Sequence, residues 1–201
     1  MGTILELQHI SKFYPGVVAL DDVSLKIEEG QVHALMGENG AGKSTMIKVI
    51  SGAIKPERGS IIIQGETFSS LTPALSREKG IGVIYQEFNL VPTMSVVENI
   101  FLGEKVGNSF MPDFEMMHRK AREIFDEFGV DIDTKAMVSE LTPGKQQLVE
   151  IAKTLTRNVK LIIMDEPSAS ISVADVNTLF GIIRKLQKKG VTIIYISHRM
   201  E

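Results

Sequence analysis

The apolar positions of this chain change their period several times. Short runs rich in β-branched and aliphatic residues fall at 23–27, 32–36, 61–63, 82–85, 161–164 and 191–196, and each predicts a strand. The runs 161–164 and 192–196 are apolar at nearly every position, as in strands covered on both faces. Helical patterns follow at about 43–52, 95–102, 113–128, 145–155 and 174–188. Strand, loop and helix in succession predict an α/β domain with a largely parallel sheet. From about 95 to 157 only helical patterns occur. This predicts one domain, with a core of about 1–94 and 158–201 and an inserted helical subdomain of about 95–157.

Composition narrows the class. With 201 residues, 43% of them apolar and 23% charged, the chain is long enough for one domain with its own core. No stretch approaches the roughly 18 consecutive apolar residues of a membrane span. The start, Met1-Gly2-Thr3-Ile4-Leu5-Glu6, lacks the basic and apolar regions of a secretory signal. The absence of cysteine excludes disulfides and thiolate metal sites. A net charge of −3 gives no electrostatic case for a nucleic-acid partner, and none is expected. His9, His33 and His118 have no partner motif and read as surface or satisfied core residues.

The strand at 32–36 leads into Gly37-Glu38-Asn39-Gly40-Ala41-Gly42-Lys43-Ser44-Thr45, a full match to G-x-x-x-x-G-K-[ST]. The glycines let successive backbone N–H groups curl around phosphate oxygens without Cβ clashes. The helix that starts near Lys43 turns its positive end toward the same anion. Lys43 is expected to reach the outer phosphates, Ser44 to place its hydroxyl on Mg²⁺, and Thr45 to help hold the inner phosphate. A second strand, Leu161-Ile162-Ile163-Met164, ends in Asp165-Glu166. In open α/β sheets ligands sit beyond the carboxyl ends of strands. Asp165 is therefore expected to hold Mg²⁺ through a water, and Glu166 to orient or deprotonate an attacking water.

The segments between these motifs carry a family resemblance. Leu141-Thr142-Pro143-Gly144-Lys145-Gln146 resembles the L-S-G-G-Q signature of ABC ATPases, with a helix and then the acid-ended strand after it, as in that family. Gln86 resembles the Q-loop glutamine, His198 in Ser197-His198-Arg199 the switch histidine, and Tyr14 the aromatic that stacks on adenine. Ser168-Ala169-Ser170-Ile171-Ser172 stands at the D-loop position. The resemblance covers essentially the whole chain. Phe13-Tyr14-Pro15-Gly16-Val17-Val18-Ala19-Leu20, Tyr85-Gln86-Glu87 and Val149-Glu150-Ile151-Ala152-Lys153 are most similar to the ATPases of bacterial monosaccharide importers of the ribose, xylose and galactose type.

That resemblance implies a P-loop fold of mostly parallel sheet, with an N-terminal antiparallel β part and an inserted helical subdomain. It implies ATP hydrolysis with Mg²⁺ that powers import, Gln86 touching the Mg²⁺ or the water, and His198 bridging Glu166, the water and the γ-phosphate. The signature of one domain would cap the nucleotide of a second ATPase domain. Transmembrane permease subunits would be further partners, docked near Phe88, Leu90, Val91, Pro92 and Met94 from the inner, cytoplasmic face of the membrane. ABC ATPases of translation or DNA repair, and importers of other small solutes, are the alternatives. The chain departs from the family at Thr142, Pro143 and the aspartate-free D-loop. Its length suggests the first domain of a tandem with an incomplete C-terminal end.

Overall fold

The computed structural model describes residues 2–38, 40–104, 106–107, 112–169 and 171–198. Along the chain run β1 (Thr3–Tyr14), β2 (Val17–Glu28), β3 (Val32–Met36), α1 (Lys43–Ile50), β4 (Arg58–Ile63), β5 (Glu66–Phe68) and α2 (Pro73–Glu78). They are followed by β6 (Ile81–Ile84), α3 (Val96–Ile100), α4 (Phe114–Phe128), α5 (Pro143–Leu155), β7 (Leu161–Asp165), α6 (Val173–Lys188) and β8 (Thr192–Ser197). By their contacts these elements form two units. The first comprises Met1–Val83, Val159–Pro167 and Leu186–Glu201, and the second comprises Ile84–Asn158 and Ser168–Lys185.

The first unit contains two kinds of sheet. One is antiparallel, in the order β2-β1-β4-β5. The other has the order β3-β8-β7-β6, with β3, β8 and β7 parallel. Leu161, Ile162, Ile163, Met164, Ile193, Ile194 and Ile196 are all buried, as their unbroken apolar runs require. The antiparallel part is much larger than the short runs at 23–27 and 61–63 predict. The registers of β1 with both of its neighbours slip between Leu7 and Ser11, and His9 takes a φ of 55° there. Such bulges shift the inward and outward alternation partway along a strand. A search for one uninterrupted period therefore misses β1.

In the second unit each helix carries its own start signal. Ser95 caps α3 in a reciprocal box with Glu98, and Asp113 caps α4 by accepting the Met116 N–H at 2.9 Å. Helix α4 buries Met117, Ala121, Phe125 and Phe128 and stops at Gly129. Helix α5 begins at Pro143, ahead of the 145 predicted from periodicity, and buries Leu148, Val149, Ile151 and Ala152. Between 95 and 157 the described residues hold no strand, only an isolated bridge between Ser95 and Met137.

Candidate functional site

The phosphate loop runs from β3 into α1. Gly42, the N-cap of α1, has a left-handed backbone with φ 84°. A Cβ there would lie 2.6 Å from the Ala19 carbonyl oxygen and 2.7 Å from Leu20 Cδ2, so conformation and space both demand glycine. Lys43 folds its ammonium back onto the loop, donating to the carbonyls of Gly37 and Glu38, the latter at 2.9 Å. The first turn of α1 has no acidic residue to compete for its positive end. Within that turn Ser44 is exposed and Thr45 half-buried. Gly40 and Ala41 are exposed, while Asn39 lies outside the described residues.

The acid-ended strand meets the end of its neighbour. Asp165 is the last residue of β7. Glu166 follows with φ 47°, a left-handed conformation rare for a residue with a side chain. Its N–H donates to the Ile196 carbonyl at 3.0 Å, which ties the turn after β7 to β8. Its carboxylate Oε1 lies 2.7 Å from Nδ1 of His198, with the Glu166 side chain only 14% exposed. Burial pushes the Asp165 carboxyl above its usual range, and the adjacent Glu166 charge pushes it further. The Lys43 ammonium pulls it back down, which couples the phosphate loop to the acid strand. Tyr14 closes β1 with 41% of its surface exposed.

Gln86 and the signature belong to the second unit. Gln86 is exposed just beyond the end of β6. Thr142 caps α5 by accepting the Lys145 N–H at 3.4 Å, and Pro143 takes the first helical position, where its missing N–H costs nothing. Leu141 is half-buried, while Thr142, Pro143 and Lys145 are exposed. Gln146 Nε2 donates to the carbonyls of Val138 and Leu141, both at 3.1 Å, and so pins the approach to the helix. Gly144 is buried; a Cβ on it would lie 2.3 Å from Asp175 Cγ. Ser172 fills the position of the missing D-loop aspartate. It accepts the Asp175 N–H at 3.2 Å and donates to Asp175 Oδ2 at 2.6 Å, capping α6. Ser170 and Arg199 lie outside the described residues.

Several residues of consequence were not singled out by the sequence pattern. Asn99 is fully buried in α3, and its amide group bonds the backbones of Val91, Met94 and Ser95. It thereby fixes the segment that follows Gln86. A polar residue between buried Val97 and Ile100 was the available signal. Lys153 donates to the Asn89 carbonyl at 2.8 Å, and Glu150 is buried beside it in α5. The unassigned histidines all have local partners: His9 with Asp22, His33 with the Glu28 backbone and His118 with Thr134. Among the described residues no group of three or more His, Asp or Glu side chains is placed to hold a metal by itself.

A glycine loop opening a helix, its lysine, and an acid pair at the end of another strand of the same parallel sheet define a P-loop nucleoside triphosphatase fold. Residues 20–169 match the ABC transporter family, and the chain belongs to that family. It is 45% identical over 201 residues to the ribose import ATP-binding protein RbsA 1 of Rubrobacter xylanophilus, covering 100% of this chain and 40% of that protein. It is 44% identical over 198 residues to the galactose/methyl galactoside import ATP-binding protein MglA of Yersinia pestis, covering 98% of this chain and 39% of that protein. The chain thus spans about 40% of the length of these relatives. Among solved structures, a nucleotide-free ATP-binding cassette from an ABC transporter superposes with a TM-score of 0.89 at 32% identity, over 99% of this chain and 83% of that one. A dimeric ATP-binding cassette bound to ADP and Pi superposes with a TM-score of 0.83 at 27% identity, over 98% of this chain and 88% of that one.

Proposed function

We propose that this chain is a nucleotide-binding domain that binds and hydrolyses ATP to power an importer of a monosaccharide. The observation that carries the reading is the Glu166–His198 pair, with Oε1 and Nδ1 2.7 Å apart where β7 and β8 end. β8 lies between β7 and β3, the strand that launches the phosphate loop. A carboxylate beside a triphosphate-gripping loop supplies the base that hydrolysis by water requires.

In this reading the amides of Gly37, Asn39, Gly40, Ala41 and Gly42, with Lys43, Ser44 and Thr45, hold the phosphates. Tyr14 stacks on the adenine. Glu166 orients the attacking water and takes its proton. With Nδ1 engaged by Glu166, Nε2 of His198 is the nitrogen available to the γ-phosphate. The donor set fits Mg²⁺: an exposed Ser44 hydroxyl and an Asp165 carboxyl whose ionised form burial, and then the neighbouring Glu166 charge, disfavour without a cation. Asp165 would act through a water and Gln86 would complete the shell; the ion would neutralise charge on the phosphates.

The signature residues Leu141, Thr142, Pro143, Gly144, Lys145 and Gln146 act on the nucleotide of a second ATPase domain, in agreement with the dimeric state of a related cassette. The chain is read as one nucleotide-binding domain, a core of about 1–94 and 158–201 with a helical subdomain of about 95–157 inserted in it. Permease subunits are the membrane partners and the domain works at the cytoplasmic face. In support, Pro92 is exposed and Phe88, Leu90, Val91 and Met94 are half-buried. Ribose and galactose appear in the names of the relatives, which favours a monosaccharide.

Titration calorimetry with ATP and Mg²⁺, joined to a phosphate-release assay, tests the assignment. Wild-type protein should bind ATP in a Mg²⁺-dependent way. Lys43→Ala should abolish that binding, whereas Glu166→Gln should retain it and lose turnover by on the order of 10²–10⁴. Normal turnover in Glu166→Gln would remove Glu166 from its role.

A further inference from the structure

The end of β1 is held by a contact that crosses 45 positions of sequence. Lys12 donates from Nζ to Glu57 Oε1 at 2.7 Å, and Glu57 Oε2 accepts the Phe13 N–H at 3.0 Å. The N–H of Glu57 in turn donates to the Ser11 carbonyl at 2.9 Å. One glutamate therefore engages three consecutive residues directly before Tyr14. The Lys12 side chain is only 13% exposed, and its Nζ sits over the Tyr14 ring, 5.4 Å from the centroid. Bonds from Lys12 and the Phe13 amide hold the Glu57 carboxyl below its usual range.

An isolated surface ion pair contributes little, because ordering two long side chains offsets the attraction. Here the pair does something local instead. It fixes the backbone that carries Tyr14 and places a cation over one face of the ring. The other face is then the one a base can stack on. A cation on one side also draws π density toward itself and leaves the far side less negative, which suits an electron-rich purine. The same strand region touches the phosphate loop. Lys12 pairs in register with Leu20, whose Cδ2 occupies the space next to Gly42. The strand that carries the ring is thus paired with the strand that borders the loop.

We propose that Lys12 and Glu57 are positioning residues for the nucleotide base: they set the open face of Tyr14 and so determine the base-dependent part of the affinity. The proposal rests on the reading of Tyr14 as the stacking residue. It predicts that losing the pair weakens ligands with a purine and leaves a bare polyphosphate untouched.

The test is calorimetry on the full chain, with Mg²⁺ and one of three ligands: ATP, GTP or inorganic tripolyphosphate. Tyr14→Ala should weaken ATP and GTP roughly five- to a hundredfold and leave tripolyphosphate within about twofold. Lys12→Met and Glu57→Ala should weaken ATP and GTP roughly two- to tenfold, again with tripolyphosphate unchanged. Lys12→Arg, which keeps the cation, should restore most of the loss. Circular dichroism and the melting temperature establish that each variant is folded; if Glu57→Ala fails to fold, Glu57→Gln replaces it. Wild-type ATP affinity in the folded Lys12 and Glu57 variants, with Tyr14→Ala impaired, would overturn this inference and leave the nucleotide site standing. Equal losses for ATP and tripolyphosphate would overturn it too, since the pair would then be merely structural. Wild-type ATP affinity in Tyr14→Ala, or no binding by the wild type, would remove the stacking reading and this inference together.

Discussion

Glu166 is the residue at which backbone and chemistry are most tightly joined. A glutamate at φ 47° is held against its preference, and the bond from its N–H to Ile196 is what holds it. Such conformations cost about 1–3 kcal/mol and persist where the surroundings determine them. Here the turn puts the carboxylate against His198. A second acid is buried to a different end. Glu150 is 5% exposed and its Oε1 has no hydrogen-bond partner among the described residues. Burial pushes its carboxyl above the usual range, while the Lys153 charge and the Asn89 amide oppose the shift. A raised carboxyl favours the protonated form in the folded state. Its contribution to stability is therefore whole below the ordinary value near 4.5 and is lost as pH rises through the folded value. Glu150→Gln should accordingly melt higher than wild type at neutral pH. The gap should close as pH falls below about 4.5; a gap independent of pH across melting curves would refute the assignment.

At the scale of elements, the helix starts place the site. Helix α1 begins at a left-handed glycine because a side chain would strike β2, so its first amides stay open to an anion. Helix α5 begins at a Thr-Pro pair that satisfies its own end, and Gly144 in the first turn lets the Asp175 carboxylate pack close. The departures from the family pattern at Thr142 and Pro143 are thus ordinary helix chemistry: a hydroxyl cap followed by a residue suited to the first position. Because the Thr142 bond is long at 3.4 Å, Thr142→Ala should cost only about 0.5–1 kcal/mol in urea unfolding. Thr142→Ser should cost almost nothing. In the aspartate-free D-loop, Ser172 performs the capping that starts α6.

For the whole molecule, the proposed chemistry is divided between the units. The phosphate loop, Asp165, Glu166 and His198 lie in the first, and Gln86 and the signature in the second. If the signature acts on another copy's nucleotide, turnover per chain should rise about linearly with protein concentration while monomer dominates. A flat dependence in a phosphate-release assay across that range would place a complete site in one chain.

The sequence alone determined the elements whose cause is local. The glycine loop, the acid-ended apolar strand and the unbroken cores of β7 and β8 each follow from neighbours a few positions apart, where backbone sterics and burial leave few alternatives. Tertiary structure alone decided what depends on distant partners. Leu20 had to approach before Gly42 became obligatory, and Ile196 before Glu166 could turn toward His198. β1 stayed hidden because a bulge breaks its period, and Lys12 and Glu57 because 45 positions separate them. Periodicity records which face of an element is buried, and only folding decides which side chains meet there.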